Sequence, residues 1–249
     1  MVRIAQLVVR LLWVVITAAL PVLLFLASRG LVDVTPATLV ELAVGQGVCT
    51  CAESTRGLVQ AWRRPAQLQL RAELSRVLQQ GAFHIAERSG VDVETIGLSV
   101  FRLPGRFSRS ETLKQVIRHR FDDHPGPSHI RWTKGKGIVG MCWQDQAPVY
   151  RDLRKLAFQA RRQGADKIAL TPAVKRVMGT MSRAEFDRII VKYGEVYAEP
   201  IDNAANQMIG VLVVDIPFAP PVSGGTRLDV PAVEQVIANV AVLAGKLMS

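Results

Sequence analysis

Cysteine is scarce: Cys49, Cys51 and Cys142 are all that 249 residues contain. So odd and sparse a set excludes a framework of paired disulfides and suits a reducing compartment. A C-x-C pair alone supplies too few ligands for a structural zinc, so no metal site is expected. Histidine is nearly as rare, and His84, His119, His124 and His129 show no ligand spacing. Aromatic residues reach only 6%, and no stacking, zinc-finger or recognition-helix pattern accompanies the basic charge described below, so nucleic acid is not the expected partner. Also missing are GxxxxGK[ST], HExxH and GxSxG, and the carboxylates form no acid–base pair. No catalytic residue and no cofactor can be assigned, and an enzyme is not the expected class.

What the chain does have is a long run without charge. Leu11 to Ser28, LLWVVITAALPVLLFLAS, is bracketed by Arg10 and Arg29. At 1.5 Å per helical residue it spans about 27 Å, close to the hydrocarbon thickness of a bilayer. Leu7 to Val9 extend it by a turn, with Arg10 able to snorkel toward the head groups. Residues 1–30 are therefore expected to form a transmembrane anchor. A cleaved secretory signal is the rival reading, because Arg3 and Arg10 resemble a charged leader. Against it, Phe25, Leu26, Ala27 and Ser28 do not place small residues at both cleavage positions. A buried core helix kinked at Pro21 is the third reading.

Charge is the second surplus. The formal net charge is +10 and the pI about 10.1. Arg106, Arg109, Lys114, Arg118, Arg120, Arg131 and Lys134 make one cluster; Arg151, Arg154, Lys155, Arg161, Arg162, Lys167, Lys175 and Arg176 make another. Beside a membrane, anionic lipid is the economical partner, worth about 1 kcal/mol per well-placed Lys or Arg. The flanks of the anchor place the N-terminus inside by the positive-inside rule, whereas the sparse cysteines place the folded domain in the cytoplasm. The latter is the expectation adopted, for a single-pass protein of the cell membrane.

Beyond the anchor, Thr35-Pro36 opens a helix expected to end near Gly45. A break from Gly45 to Cys51, a helix to Arg64 and a restart at Pro65 running to Ser89-Gly90 complete a connecting region at 31–65 and the entry to a domain at 66–249. From Thr95 the texture is that of strands, TIGLSVFRL and TLKQVIRHRF, followed by a short helix GIVGMCWQDQ and a strand PVYRDL. A helical insert is expected at about 154–193, including SRAEFDRIIVKY with a capping box from Ser182 and Glu185. Two closing strands, EVYAEPI and QMIGVLVVDI, precede a terminal amphipathic helix. The fold class is α+β with an antiparallel sheet and flanking helices. Two apolar stripes, Leu70 to Ile85 and Val233 to Leu247, are expected to meet as a dimer seam.

At GKGIVGMCWQDQAPVYRDL and VYAEPIDNAANQMIGVLVVDIP the chain resembles the GAF domain family. The resemblance covers about Ala66 to Ser249 and lies in the order and spacing of these two blocks. It implies an antiparallel sheet with helices on one face and a ligand pocket under a helical cover on the other. It also implies sensing of a small molecule or a signalling partner protein rather than catalysis. The pattern departs from cyclic-nucleotide-binding members, since Phe186 and Asp187 are adjacent and no Asp-Glu pair follows. No attachment cysteine or axial histidine argues for bilin or haem. Cys142 stands near a place used by methionine-sulfoxide-reducing members, which makes a thiol-dependent redox enzyme the alternative, although no resolving thiol follows it.

The stretch singled out for ligand binding is Lys134-Gly135-Lys136-Gly137. Flexible backbone and two ammonium groups directly precede a helix whose free N–H groups favour an anion. Arg131 and Trp143 are the expected supporting side chains, and the expected ligand is a small anion. The 249 residues show no kinase, cyclase, phosphodiesterase or DNA-binding segment, so signalling is expected through a partner or through the membrane segment itself, for example by assembly of spans when the domain senses a ligand.

Overall fold

A computed structural model describes residues 22, 25–27, 29, 35–105, 108–219 and 227–249. The anchor expected at 1–30 lies almost wholly outside the described residues, as do the side chains of Cys49 and Cys51. The chain divides into two compact units, Met1–Gln67 and Leu68–Ser249.

Helix α1 spans Pro36–Ser89, 54 residues without interruption. This corrects the expected breaks at Gly45–Cys51 and at Pro65. A helical glycine costs only about 1 kcal/mol and an interior proline about 3 kcal/mol. Strong helix formers outweigh them on both sides, notably AQLQLRAELSRVLQQ directly after Pro65. The helix ends as expected, with Gly90 in the left-handed region (φ 66°) and its N–H donating to the Ala86 carbonyl at 2.9 Å.

In the second unit, strands β1 (Gly97–Arg102), β2 (Lys114–Arg120), β3 (Val149–Asp152), β4 (Tyr193–Asp202) and β5 (Met208–Pro217) form one antiparallel sheet ordered β2-β1-β5-β4-β3. Period-2 alternation divides each strand between two faces. On one face Leu98 and Val100 of β1 and Leu212 and Val214 of β5 meet Leu74, Leu78, Ala82 and Ile85 of α1. Helix α6 (Pro231–Met248) adds Val233, Ile237, Val240 and Ala244. These stripes are therefore not an intermolecular seam: Leu74 is fully buried and Val240 95% buried within the domain's own core. Gly81 lets the two helices approach, since a Cβ there would lie 2.6 Å from Val240 Cγ2. Among the described residues α6 is the one helix long and apolar enough to cross a membrane, but its apolar face is the one packed on the sheet.

Among the described residues Glu195 is the one carboxylate buried on this side, and it is fully employed. It accepts from the Tyr150 hydroxyl at 3.0 Å and from the backbone N–H groups of Arg227 (2.8 Å) and Leu228 (3.0 Å), fixing the chain just before α6.

Over the opposite face lie α2 (Gly137–Asp145), α3 (Arg154–Gln163), α4 (Pro172–Met178) and α5 (Arg183–Ile190). Each start has a local cause. Thr171 caps α4 through the Val174 N–H with Pro172 in the first turn, and Ser182 with Glu185 forms the expected capping box of α5. Ile138, Val174, Met178, Phe186 and Ile190 of this cover pack on Phe101, Val196, Ala198, Val211 and Val213 of the sheet. A mixed α+β unit with helices on one face and a helical cover on the other is the architecture that the GAF resemblance implies.

Candidate functional site

The cover does not close fully on the sheet. Between them lies a cavity of about 170 Å³, floored by Ser99, Phe101, Val196, Val213 and Asp215. Its walls come from Ile138 and Val139 of α2, Val177 of α4 and Phe186, Ile189 and Ile190 of α5, with Trp132 and the Pro127–Ser128–His129 loop at the margin. The lining is mainly apolar, with a few converging polar groups, which is the composition expected of a small-molecule pocket.

Those polar groups lie along cross-strand rows of the floor. In one row Arg120 of β2 and Asp215 of β5 both pair with Gly97 of β1. The Arg120 guanidinium crosses over Gly97 to form an ion pair with Asp215, both side chains at least 91% buried. A side chain at 97 would occupy the space that the guanidinium fills. Arg120 also donates to the Thr95 carbonyl at 2.8 Å. Burial pushes the Asp215 carboxyl up to about 6, against the pull of Arg120 and Arg118.

In the neighbouring row Arg118 of β2 faces Ser99 of β1. Arg118 donates to the Pro125 carbonyl, and Lys192 donates to the Gly126 carbonyl at 3.3 Å, so both hold the loop at the cavity mouth. Tyr193 reaches the same end because the strand is irregular between Tyr193 and Glu195, which puts both Tyr193 and Val196 on the cover side. Burial pushes its hydroxyl up to about 12, so it stays a donor at neutral pH. Ser99 is 94% buried.

The structure scatters the turn singled out in the sequence. Gly137 lines the cavity, at φ 57° with Trp132 and Met181 against its α-carbon. Gly135 is buried, also at positive φ. Lys136 forms an ion pair with Glu185 at 3.0 Å, so a protein carboxylate already meets its charge. Lys134 is exposed, its ammonium 5.7 Å from the Trp143 ring centroid, and Trp143 is buried outside the cavity lining. Arg131 faces solvent. Arg118, Ser99, Tyr193 and Asp215 are the groups that the sequence reading passes over. The signal for two of them is a polar residue at an inward position of an apolar strand, Ser99 in GLSVF and Asp215 in VLVVDI.

Cys142 is fully buried, and its thiol is pushed well above the ordinary range by burial and by the Glu199, Asp145 and Asp202 carboxylates. A thiol held protonated is not the nucleophile that a redox mechanism needs.

The antiparallel sheet, its helical face and the covered cavity together match the fold that the GAF resemblance implies. The chain matches no protein-family profile and no curated protein. Among solved structures it is similar to the type II free methionine-R-sulfoxide reductase from Thermoplasma acidophilum, at 12% identity and a TM-score of 0.41 over 72% of this chain and 94% of that one. It is also similar to the GAF domain from Acinetobacter phosphoenolpyruvate-protein phosphotransferase, at 14% identity and a TM-score of 0.39 over 74% and 89%. A third is a NreA protein from Staphylococcus aureus mutated in its nitrate binding site, at 16% identity and a TM-score of 0.37 over 66% and 97%.

Proposed function

We propose that this protein is a membrane-anchored sensory module whose GAF-like domain holds a small organic molecule between its sheet and its helical cover. The observation that carries the reading is the covered cavity of about 170 Å³ with polar groups gathered at one end of an apolar chamber. An apolar cavity of about 150 Å³ takes up benzene, so the ligand is of single-ring size. Anchoring is supported by the charge-free run Leu11 to Ser28, and a cytoplasmic position by the sparse cysteines. A signalling partner, or a second copy of the chain, would read the state of the cover. The basic residues of the cover and their anionic lipid partner belong to the same reading.

The test is a thermal-shift screen of single-ring and short-chain compounds on the full chain in detergent, run beside a Val177→Trp variant whose indole fills the chamber. A ligand present at 100 times its Kd stabilises by about 2.7 kcal/mol, a shift of several degrees. The reading predicts compounds that shift the parent and not the variant. It fails if no compound shifts the parent, or if every active compound shifts both alike. Carbonate extraction of membranes tests the anchor separately, and release into the soluble fraction would overturn it.

A further inference from the structure

We infer that the ligand is a small monocarboxylate with an apolar body, its carboxylate seated on Arg118 and on the hydroxyls of Ser99 and Tyr193. This rests on the reading of the cavity as a ligand site, and it names the chemistry that the site selects.

The argument begins with which charges at the polar end are already met. Asp215 is neutralised by Arg120, an arrangement possible only because Gly97 leaves the path between them open. Arg118, one row along, has no such partner. Its guanidinium donates to the Pro125 carbonyl, a neutral acceptor, and among the described residues no carboxylate lies within ion-pair distance of it. A positive charge at the margin of a low-dielectric chamber therefore lacks a counterion. Lys192 responds to the same field: its ammonium is pushed down by burial and then by Arg118 and Arg188. A cationic head group would be repelled there and an anionic one attracted.

The hydroxyls point the same way. Ser99 is 94% buried and lines the cavity, and no hydrogen bond from its hydroxyl to another described residue is found. Tyr193 lines the cavity near Arg118 and Asp215, and its hydroxyl is likewise without a described partner. Hydroxyls that line a cavity can be met by what fills it, and a carboxylate accepts from both hydroxyls and from a guanidinium at once. Arg118 with two hydroxyls is a donor set of the size that one carboxylate serves. A phosphate monoester would bring a further oxygen that these three donors do not serve. The remainder of the chamber, including Phe101, Leu113, Trp132, Val139, Phe186 and Val213, offers only apolar surface to the rest of the molecule.

Three probes of one shape and different charge make the test: benzoate, benzyl alcohol and benzylamine, titrated by calorimetry into the full chain in detergent. Benzoate is expected to bind at least tenfold more tightly than benzyl alcohol, with benzylamine weakest. Arg118→Gln should remove the preference for benzoate while leaving benzyl alcohol binding within twofold, and Arg118→Lys should restore part of it. Tyr193→Phe should weaken benzoate severalfold more than benzyl alcohol. If benzyl alcohol or benzylamine equals or exceeds benzoate in the parent, or if Arg118→Gln keeps the preference, the carboxylate assignment is overturned while the cavity remains a ligand site. If none of the three binds the parent, or if Val177→Trp binds them as the parent does, the cavity reading falls and the assignment falls with it.

Discussion

The two faces of this sheet are built from alternate residues of the same strands, yet they solve the same packing problem differently. Along β5, Leu212 and Val214 turn toward α1 and α6, whereas Val211, Val213 and Asp215 turn toward the helical cover. The first face is filled mainly by aliphatic side chains, and the one carboxylate buried there among the described residues, Glu195, has a full set of donors. The second face keeps a chamber, an ion pair laid across a glycine, and hydroxyls without a partner among the described residues. Close-packed interiors leave few voids larger than a water molecule, so the chamber on the second face is where the proposed ligand would sit. On that proposal the helix side carries the stability and the cover side the binding.

The sharpest way to break that comparison is to place a charge on the closed face. Leu78 is fully buried between α1 and the sheet, and Leu78→Asp should cost more than about 4 kcal/mol, since the carboxylate would be buried without a partner. Loss of the cooperative thermal transition in circular dichroism is the expected result. A variant that melts normally would show that this face is not the structural one.

Gly97→Ala tests the ion pair under the cavity. Its methyl group would displace Arg120 from Asp215, and removing the partner of a buried charge costs about 3–5 kcal/mol. Because a unit of this size loses about 2–4 °C per kcal/mol, the melting temperature should fall by roughly 6–20 °C. In an Arg120→Met, Asp215→Leu background the same substitution should cost little. Equal losses in both backgrounds would mean that Gly97 is needed for its backbone and not for the crossing.

Much of this division can be read in the sequence, and its limits are physical. Alternation and local caps identify the strands and the helices of the cover, because both signals are complete within a few residues, as Ser182 with Glu185 shows. The long helix α1 is misread because glycine and proline are treated as punctuation, while their cost is a sum set against every neighbour. The stripes of α1 and α6 show that something apolar covers them but not whether that something belongs to the same chain. Lys136 shows a similar limit: the carboxylate that meets it belongs to Glu185, 49 residues away. Arg118 is hidden by its company, one arginine in a basic cluster with nothing local to say that its β-strand turns it inward. The orientation of Tyr193 depends on an irregularity between β4 and β5, which is a property of the pairing and not of either strand alone.

A matched pair of substitutions sharpens the contrast between satisfied and unsatisfied polar groups. Glu195→Gln, on the closed face, removes a charge that accepts three hydrogen bonds and offers donors to groups that are themselves donors, so a loss of about 2–3 kcal/mol is expected. Ser99→Ala, on the open face, removes a hydroxyl without a described partner and should change stability by less than about 0.5 kcal/mol in the absence of ligand. Chemical denaturation of both variants at neutral pH checks the pair. A Ser99→Ala loss as large as that of Glu195→Gln would mean that the hydroxyl has a structural partner.

The smallest expected effect is a dependence on pH located at the rim of the closed face. Burial, followed by the nearby Glu234 and Asp202 carboxylates, pushes Glu199 on β4 up to about 7 from an ordinary value of 4.5. A raised carboxyl takes up a proton more readily in the folded state than in the unfolded one. Its contribution is therefore fully present below about 4.5 and is lost as pH rises through about 7. Glu199→Gln fixes the neutral form, so the variant should melt above the parent at pH 8 and together with it near pH 4.5. Glu199 is only half-buried, and solvent screening limits the difference at pH 8 to a few tenths of a kcal/mol, or about a degree. Added salt should shrink the part due to Glu234 and Asp202 and leave the part due to burial. A pair of melting curves that stay parallel from pH 4.5 to 8 would show that Glu199 has an ordinary affinity for its proton and that the closed face carries no titrating group of this kind at its rim.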